Sequence, residues 1–155
     1  MRFDRTLLAS LSLGAVTLVI GNQMFLAPHA KKTAMRQVFD GIMARKLKPD
    51  SKGVVALPPN LSKTSVDGHA YVTKAKNQTM VFFPSWFGKG ANVQGTLICS
   101  KPLNPAQQSI EVIYPQLWGA STPQGFHETY GPHKNKVPIE EKLAGNTYLL
   151  YYGMD

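Results

Sequence analysis

Leu7-Leu8-Ala9-Ser10-Leu11-Ser12-Leu13-Gly14-Ala15-Val16-Thr17-Leu18-Val19-Ile20 carries no charge, and past Gly21-Asn22-Gln23 the apolar character resumes in Met24-Phe25-Leu26-Ala27. Its reading decides whether the rest of the chain is a free domain or one tied to a bilayer. At ~1.5 Å per residue the run to Ile20 would reach roughly 21 Å as a helix, short of a hydrocarbon core of about 30 Å, whereas Leu7 to Ala27 reaches roughly 31 Å and fits. Residues 1–30 are therefore expected to form an N-terminal membrane helix, a single-pass signal-anchor. The competing reading is a cleaved secretory signal, with Arg2 and Arg5 as its basic n-region. Its cleavage site would be poor, because Ala27 is followed by Pro28 and Ala30 has Pro28 at its minus-three position; only Val19-Ile20-Gly21, ahead of Asn22, is passable.

Outward from this stretch, the charge is uneven. Of the 17 Lys and Arg and nine Asp and Glu, Lys31 to Lys76 holds ten basic and three acidic residues, and Asn77 to Asp155 five of each. The excess lies next to the apolar stretch, where each Lys or Arg near anionic headgroups contributes about 1 kcal/mol. A nucleic-acid domain would spread its basic residues over a folded face and carry a recognition motif, and none accompanies this charge, so nucleic acid is not expected as a partner. The expected partners are the membrane, through the anchor and anionic headgroups, and a protein partner or complex. The basic flank pulls towards the cytoplasm by the positive-inside rule, while Arg2 and Arg5 favour retention of the short tail there. The tail argument places the domain on the exported, periplasmic or extracellular, side.

Residues 31–48 read as a basic amphipathic helix. Ala34, Met35, Val38, Phe39, Ile42, Met43 and Leu47 recur at spacings of three and four, between Lys31, Lys32, Arg36, Arg45, Lys46 and Lys48. Thr33 is expected to cap its start and Pro49 to stop it. The apolar stripe is expected to cover the following sheet, and the six cations to face headgroups.

Residues 49–155 are expected to fold as one β-rich domain, since the length leaves room for a single modest core. The strands read as His69–Lys74, Thr79–Phe83 ending at Pro84, Val93–Ser100, Ser109–Tyr114 and Asn146–Tyr152, with a short one at Val54–Leu57. The first two should form a hairpin. The tyrosine-rich last strand must be covered, because an open edge of that kind invites association. Ile139 to Leu143 would make one helical turn. The fold class is thus α+β: a membrane helix and an amphipathic helix, then a small, mostly antiparallel β domain of five to six strands.

Gln116 to Pro138 reads as the longest irregular piece, and a long loop often carries function. Its Trp118, His127, Glu128 and His133 are the candidate loop site. No HExxH spacing or cysteine partner accompanies the histidines, so no metal and no cofactor are expected. Cys99, the one cysteine, lies in an apolar strand and reads as an inert buried thiol, and no GxSxG elbow is present. Gly88-Lys89-Gly90 lacks the spacing of a phosphate-binding loop.

An N-terminal apolar helix running into an amphipathic helix and then an antiparallel sheet resembles the architecture of type IV pilin-like proteins. That resemblance implies a structural role as an alternative. The family's Phe-Thr-Leu start and fifth-position Glu have no counterpart around Phe3 to Leu8, so its assembly mechanism does not carry over. The function expected from the residues is a membrane-anchored accessory, structural or binding subunit; a small membrane-tethered enzyme using the 116–138 loop is the other alternative.

Overall fold

A computed structural model describes residues 30–75, 77–88, 90–122 and 125–153, with side chains over 117–130 outside what it describes. The anchor expected over 1–30 lies almost wholly outside the described residues. Among those that are described, no helix is long and apolar enough to cross a membrane.

The helix α1 is described over 30–43. Thr33 therefore lies inside it rather than at its cap. Its end comes before Pro49, and the reason is local: Arg45 takes a left-handed backbone (φ 59°). The Lys46 N–H then donates to the Gly41 carbonyl at 2.8 Å and the Arg45 N–H to Ile42 at 3.0 Å, the paired bonds of a Schellman closure. The stripe read from the sequence is the packed one except at Met43, which is 48% exposed. Met35, Val38, Phe39 and Ile42 are buried, while Lys31, Lys32, Arg36 and Asp40 are exposed.

Seven strands form one antiparallel sheet: β1 (Val54–Ala56), β2 (His69–Ala75), β3 (Gln78–Phe87), β4 (Val93–Cys99), β5 (Ser109–Thr122), β6 (Gly125–Ala144) and β7 (Thr147–Tyr152). Their order across the sheet is β1-β2-β3-β4-β7-β6-β5. β2 and β3 make the expected hairpin, and β7 is covered on both sides by β4 and β6. The sheet curls into a half-barrel, bringing β5 back against β2, where the Ile113 N–H donates to the Thr73 hydroxyl at 3.1 Å.

Alternation then gives two cores. Inside the curl lie Tyr71, Phe82, Leu97, Val112, Tyr114 and Leu150 among others. On the outer face α1 covers Val55, Val72, Val81, Phe83 and Ile98. Gly95 makes the inner packing possible: a Cβ there would meet the Phe83 carbonyl oxygen at 2.5 Å and the Phe82 ring at 2.6 Å.

Four expectations are corrected by this architecture. The domain has seven strands, not five to six. Residues 116–138 are not a loop but the outer half of the long β5–β6 hairpin, which pairs from Ser109 with Pro138 to Thr122 with Gly125. Prolines and glycines there read as breakers, yet Pro115 pairs with Pro132. Two prolines can face each other in an antiparallel ladder only where neither N–H has to cross, and a bulge follows at once between Pro115 and Gln116. Residues 139–143 continue β6 instead of forming a helical turn, held by pairing with β7 through two bulges. Finally β3 passes Pro84 by a bulge before Trp86, so Trp86 and Phe87 belong to a strand and the turn is confined to 88–92.

Candidate functional site

The six cations singled out from the sequence are all exposed. They do not form one strip. Lys31, Lys32 and Arg36 lie on the first turns of α1, whereas Arg45, Lys46 and Lys48 follow its last turn, roughly 20 Å away at ~1.5 Å per residue. Arg36 is the most constrained: it bonds Asp40 one turn on at 3.3 Å, and its guanidinium lies 5.2 Å from the centre of the Phe39 ring. Both side chains of that ion pair are more than half exposed, so it contributes only a few tenths of a kcal/mol.

Beside the first of these clusters is a groove of ≈ 370 Å³ between α1 and the sheet. Met35, Ile98 and Leu143 line it, with Lys31, Lys32 and Arg36 also on its wall. Nothing in the sequence pointed to it. It arises because α1 lies over the β2–β4 side of the outer face and leaves the β7–β6 side open, a matter of strand order that one-dimensional periodicity does not carry.

The expected loop site falls on the β5–β6 hairpin. Trp118 and Glu128 are brought opposite each other as backbone partners, with His127 adjacent to Glu128 in the chain. His133 is exposed and pairs with Tyr114, five positions further along β6 from Glu128, roughly 16 Å at ~3.3 Å per residue. Among the described residues no three His, Cys, Asp or Glu side chains gather as a metal site.

Among the described residues, a polar cluster that the sequence reading missed lies in Ser65, Asp67, His69 and Tyr71. The Asp67 carboxylate accepts from the Ser65 hydroxyl at 2.7 Å, from the His69 N–H at 3.1 Å and from the Tyr71 hydroxyl. The alternation Ser-x-Asp-x-His-x-Tyr is the only sequence signal, and turn-forming Asp67-Gly68 masks it. The members resemble a nucleophile, base and acid, but they are not wired as one. The serine bonds the carboxylate rather than the imidazole, and the histidine's Nδ1 lies 2.8 Å from the backbone oxygen of Asp67. A catalytic relay needs the base on the nucleophile. The cluster instead ties the segment before β2 to the sheet, where the Val66 N–H also donates to the Pro84 carbonyl at 2.9 Å. Asp67→Ala would strand the buried Tyr71 hydroxyl and leave Ser65 only its longer bond to the Pro84 carbonyl at 3.3 Å, and should cost about 1–3 kcal/mol in urea unfolding. Loss below about 0.5 kcal/mol would show that the cluster is incidental.

Cys99 is 1% exposed in the inner core, and burial pushes its thiol up to about 12. It is neither ionised nor accessible near neutrality, as an inert core residue should be.

With the geometry in place, comparison with protein-family models, with curated proteins and with solved structures gives no match.

Proposed function

We propose that the protein is a membrane-anchored accessory or binding subunit: residues 1–30 cross the bilayer once, and the half-barrel sits next to the headgroups on the exported side. The observation that carries this reading is the disposition of charge directly after the apolar stretch. α1 sinks most of its apolar stripe into the outer core, so the six cations of 31–48 are left exposed, and Arg36 alone of them forms an ion pair among the described residues, with Asp40. A basic segment held rigidly at the foot of a folded domain suits anionic headgroups. An enzymatic role has less support, because neither Cys99 nor the Asp67 cluster presents an activated nucleophile, and among the described residues no three His, Cys, Asp or Glu side chains gather as a metal cage.

Alkaline extraction of membranes tests the anchor. The full-length chain should stay in the pellet, with its N-terminus at or next to Met1. Mature protein that begins near Asn22 and washes off would make this a soluble exported domain. A reporter fused after Asp155 that works only in the cytoplasm would reverse the orientation.

A further inference from the structure

The buried stripe of α1 has a consequence for how the domain can meet a bilayer. Met35, Val38, Phe39 and Ile42 are spent on the sheet, so of that stripe only Met43, in the last turn of the helix, is left largely exposed among the described residues. A broader apolar contact with lipid must come from elsewhere.

The outer face of the sheet beyond α1 supplies it. β3, β4 and β7 align Trp86, Gln94 and Tyr151 in one row, Phe83, Thr96 and Leu149 in the next, and Val81, Ile98 and Thr147 in the third. Directly paired residues share a face, so all nine look outward on the side that carries α1. The helix covers Val81, Phe83 and Ile98. It leaves Trp86 44% exposed and Tyr151 43%. Leu143, at the end of β6, is 37% exposed and lines the groove with Ile98. Trp and Tyr are the side chains that settle at headgroup level, with an apolar body and a polar tip.

The charges of this face match that setting. Lys31, Lys32 and Arg36 border the groove; they outnumber their acidic neighbours, Asp40, which pairs with Arg36, and Glu141, paired across the strands with Leu149. Among the described residues neither Lys31 nor Lys32 has an acidic partner. The 29 residues that precede α1, including the apolar stretch, join the chain at this same end of the helix. Charge, aromatic content and the point of attachment thus coincide on one side of the domain.

We infer that the β3–β4–β7 outer face is a bilayer-docking surface, on which Trp86, Tyr151 and Leu143 enter the headgroup region of an anionic membrane while Lys31, Lys32 and Arg36 hold its phosphates. This rests on the anchored reading, and it adds to that reading which face the domain turns to the lipid.

The test uses the full chain with Trp118→Phe, so that Trp86 is the remaining tryptophan. It is reconstituted into nanodiscs of phosphatidylcholine with or without phosphatidylglycerol, each carrying brominated acyl chains. Trp86 emission should shift to the blue and be quenched in the phosphatidylglycerol discs, and far less in phosphatidylcholine alone. Lys31→Glu with Lys32→Glu should remove that difference. So should Leu143→Glu with Tyr151→Glu, two exposed positions whose change should leave the circular dichroism unaltered. A chain that reconstitutes but whose Trp86 is never quenched overturns the docking face and leaves the anchor standing. Shielding of Trp86 that follows protein concentration instead of lipid would mean a second copy covers the face, and also overturns it. Should the chain fail to reconstitute, the anchor reading falls; the soluble chain titrated with the same lipids as vesicles then decides the face, and absence of quenching rejects it.

Discussion

Phe82→Ala should cost about 3–5 kcal/mol, a large share of the 5–15 kcal/mol typical of a domain. Phe82 is fully buried at the middle of the inner core, with its ring centre 6.0 Å from that of Tyr114 at a tilt of 55°. Its other flank is closed by Gly95, whose missing Cβ is what lets the ring lie against β4. Neither neighbour can collapse into the space an alanine leaves. Tyr114 is held by its hydroxyl, which donates to the Ala91 carbonyl at 2.7 Å, and Gly95 has no side chain to offer. The curl of the sheet fixes the remaining wall, since β5 is bonded back to β2 at Thr73. The cost should therefore lie towards the upper end of the range, where relaxation is poor. Denaturant unfolding of the wild type and variant would measure it. A loss under about 1 kcal/mol would mean that the inner core repacks freely and that the half-barrel is looser than its contacts imply.

Several elements were legible in the sequence because each advertised itself locally. The α1 stripe has a helical period, and the structure buries Met35, Val38, Phe39 and Ile42 as that period demands. The β2–β3 hairpin follows from two β-prone runs close in sequence, and the need to cover the tyrosines of β7 is met by β4 and β6. What escaped was set at longer range. The strands β5 and β6 hold Pro115, Pro132 and Pro138, each a legitimate strand breaker taken alone. Only the register that sets Pro115 against Pro132 makes them compatible. Similarly, Pro84 reads as the end of the strand that starts at Thr79, whereas a bulge carries β3 past that proline and puts Trp86 in line with Gln94 and Tyr151. The groove and the open outer face could not be read at all, since they depend on where α1 crosses a sheet whose strand order is non-sequential. Among the chemical groups, Cys99 was readable from its apolar strand, but the Asp67 cluster needed the bend that brings Ser65 and Tyr71 to the same carboxylate.

Alkali should unfold the domain over a narrow range. Three groups in the inner core or at its rim resist ionisation. Burial pushes the Cys99 thiol up to about 12. Burial, and then the charge of Tyr152, pushes Tyr114 up to about 12. Tyr71 is raised further, by burial first and then by its bond to, and the negative charge of, Asp67. In the unfolded chain the same groups would ionise near their ordinary values of 9.0 for the thiol and 10.0 for the phenols. Below pH 9 both states are protonated at all three, and stability should not depend on them. Between 9 and about 12 the folded state binds more protons than the unfolded one, so the unfolding free energy falls as pH rises. From pH 10 the two phenols join the thiol, and the slope should steepen to a difference approaching three protons. Urea unfolding at intervals from pH 8 to 11 would trace this, with tyrosinate absorbance of Tyr71 and Tyr114 appearing together with loss of structure. Cys99→Ala separates packing from titration. It lowers stability at every pH by opening a small cavity, but it should flatten the slope between 9 and 10, where the thiol alone is responsible. A wild-type midpoint unchanged through pH 11 would mean that these groups reach water in the folded state, and that the inner core is open where the half-barrel brings β5 against β2.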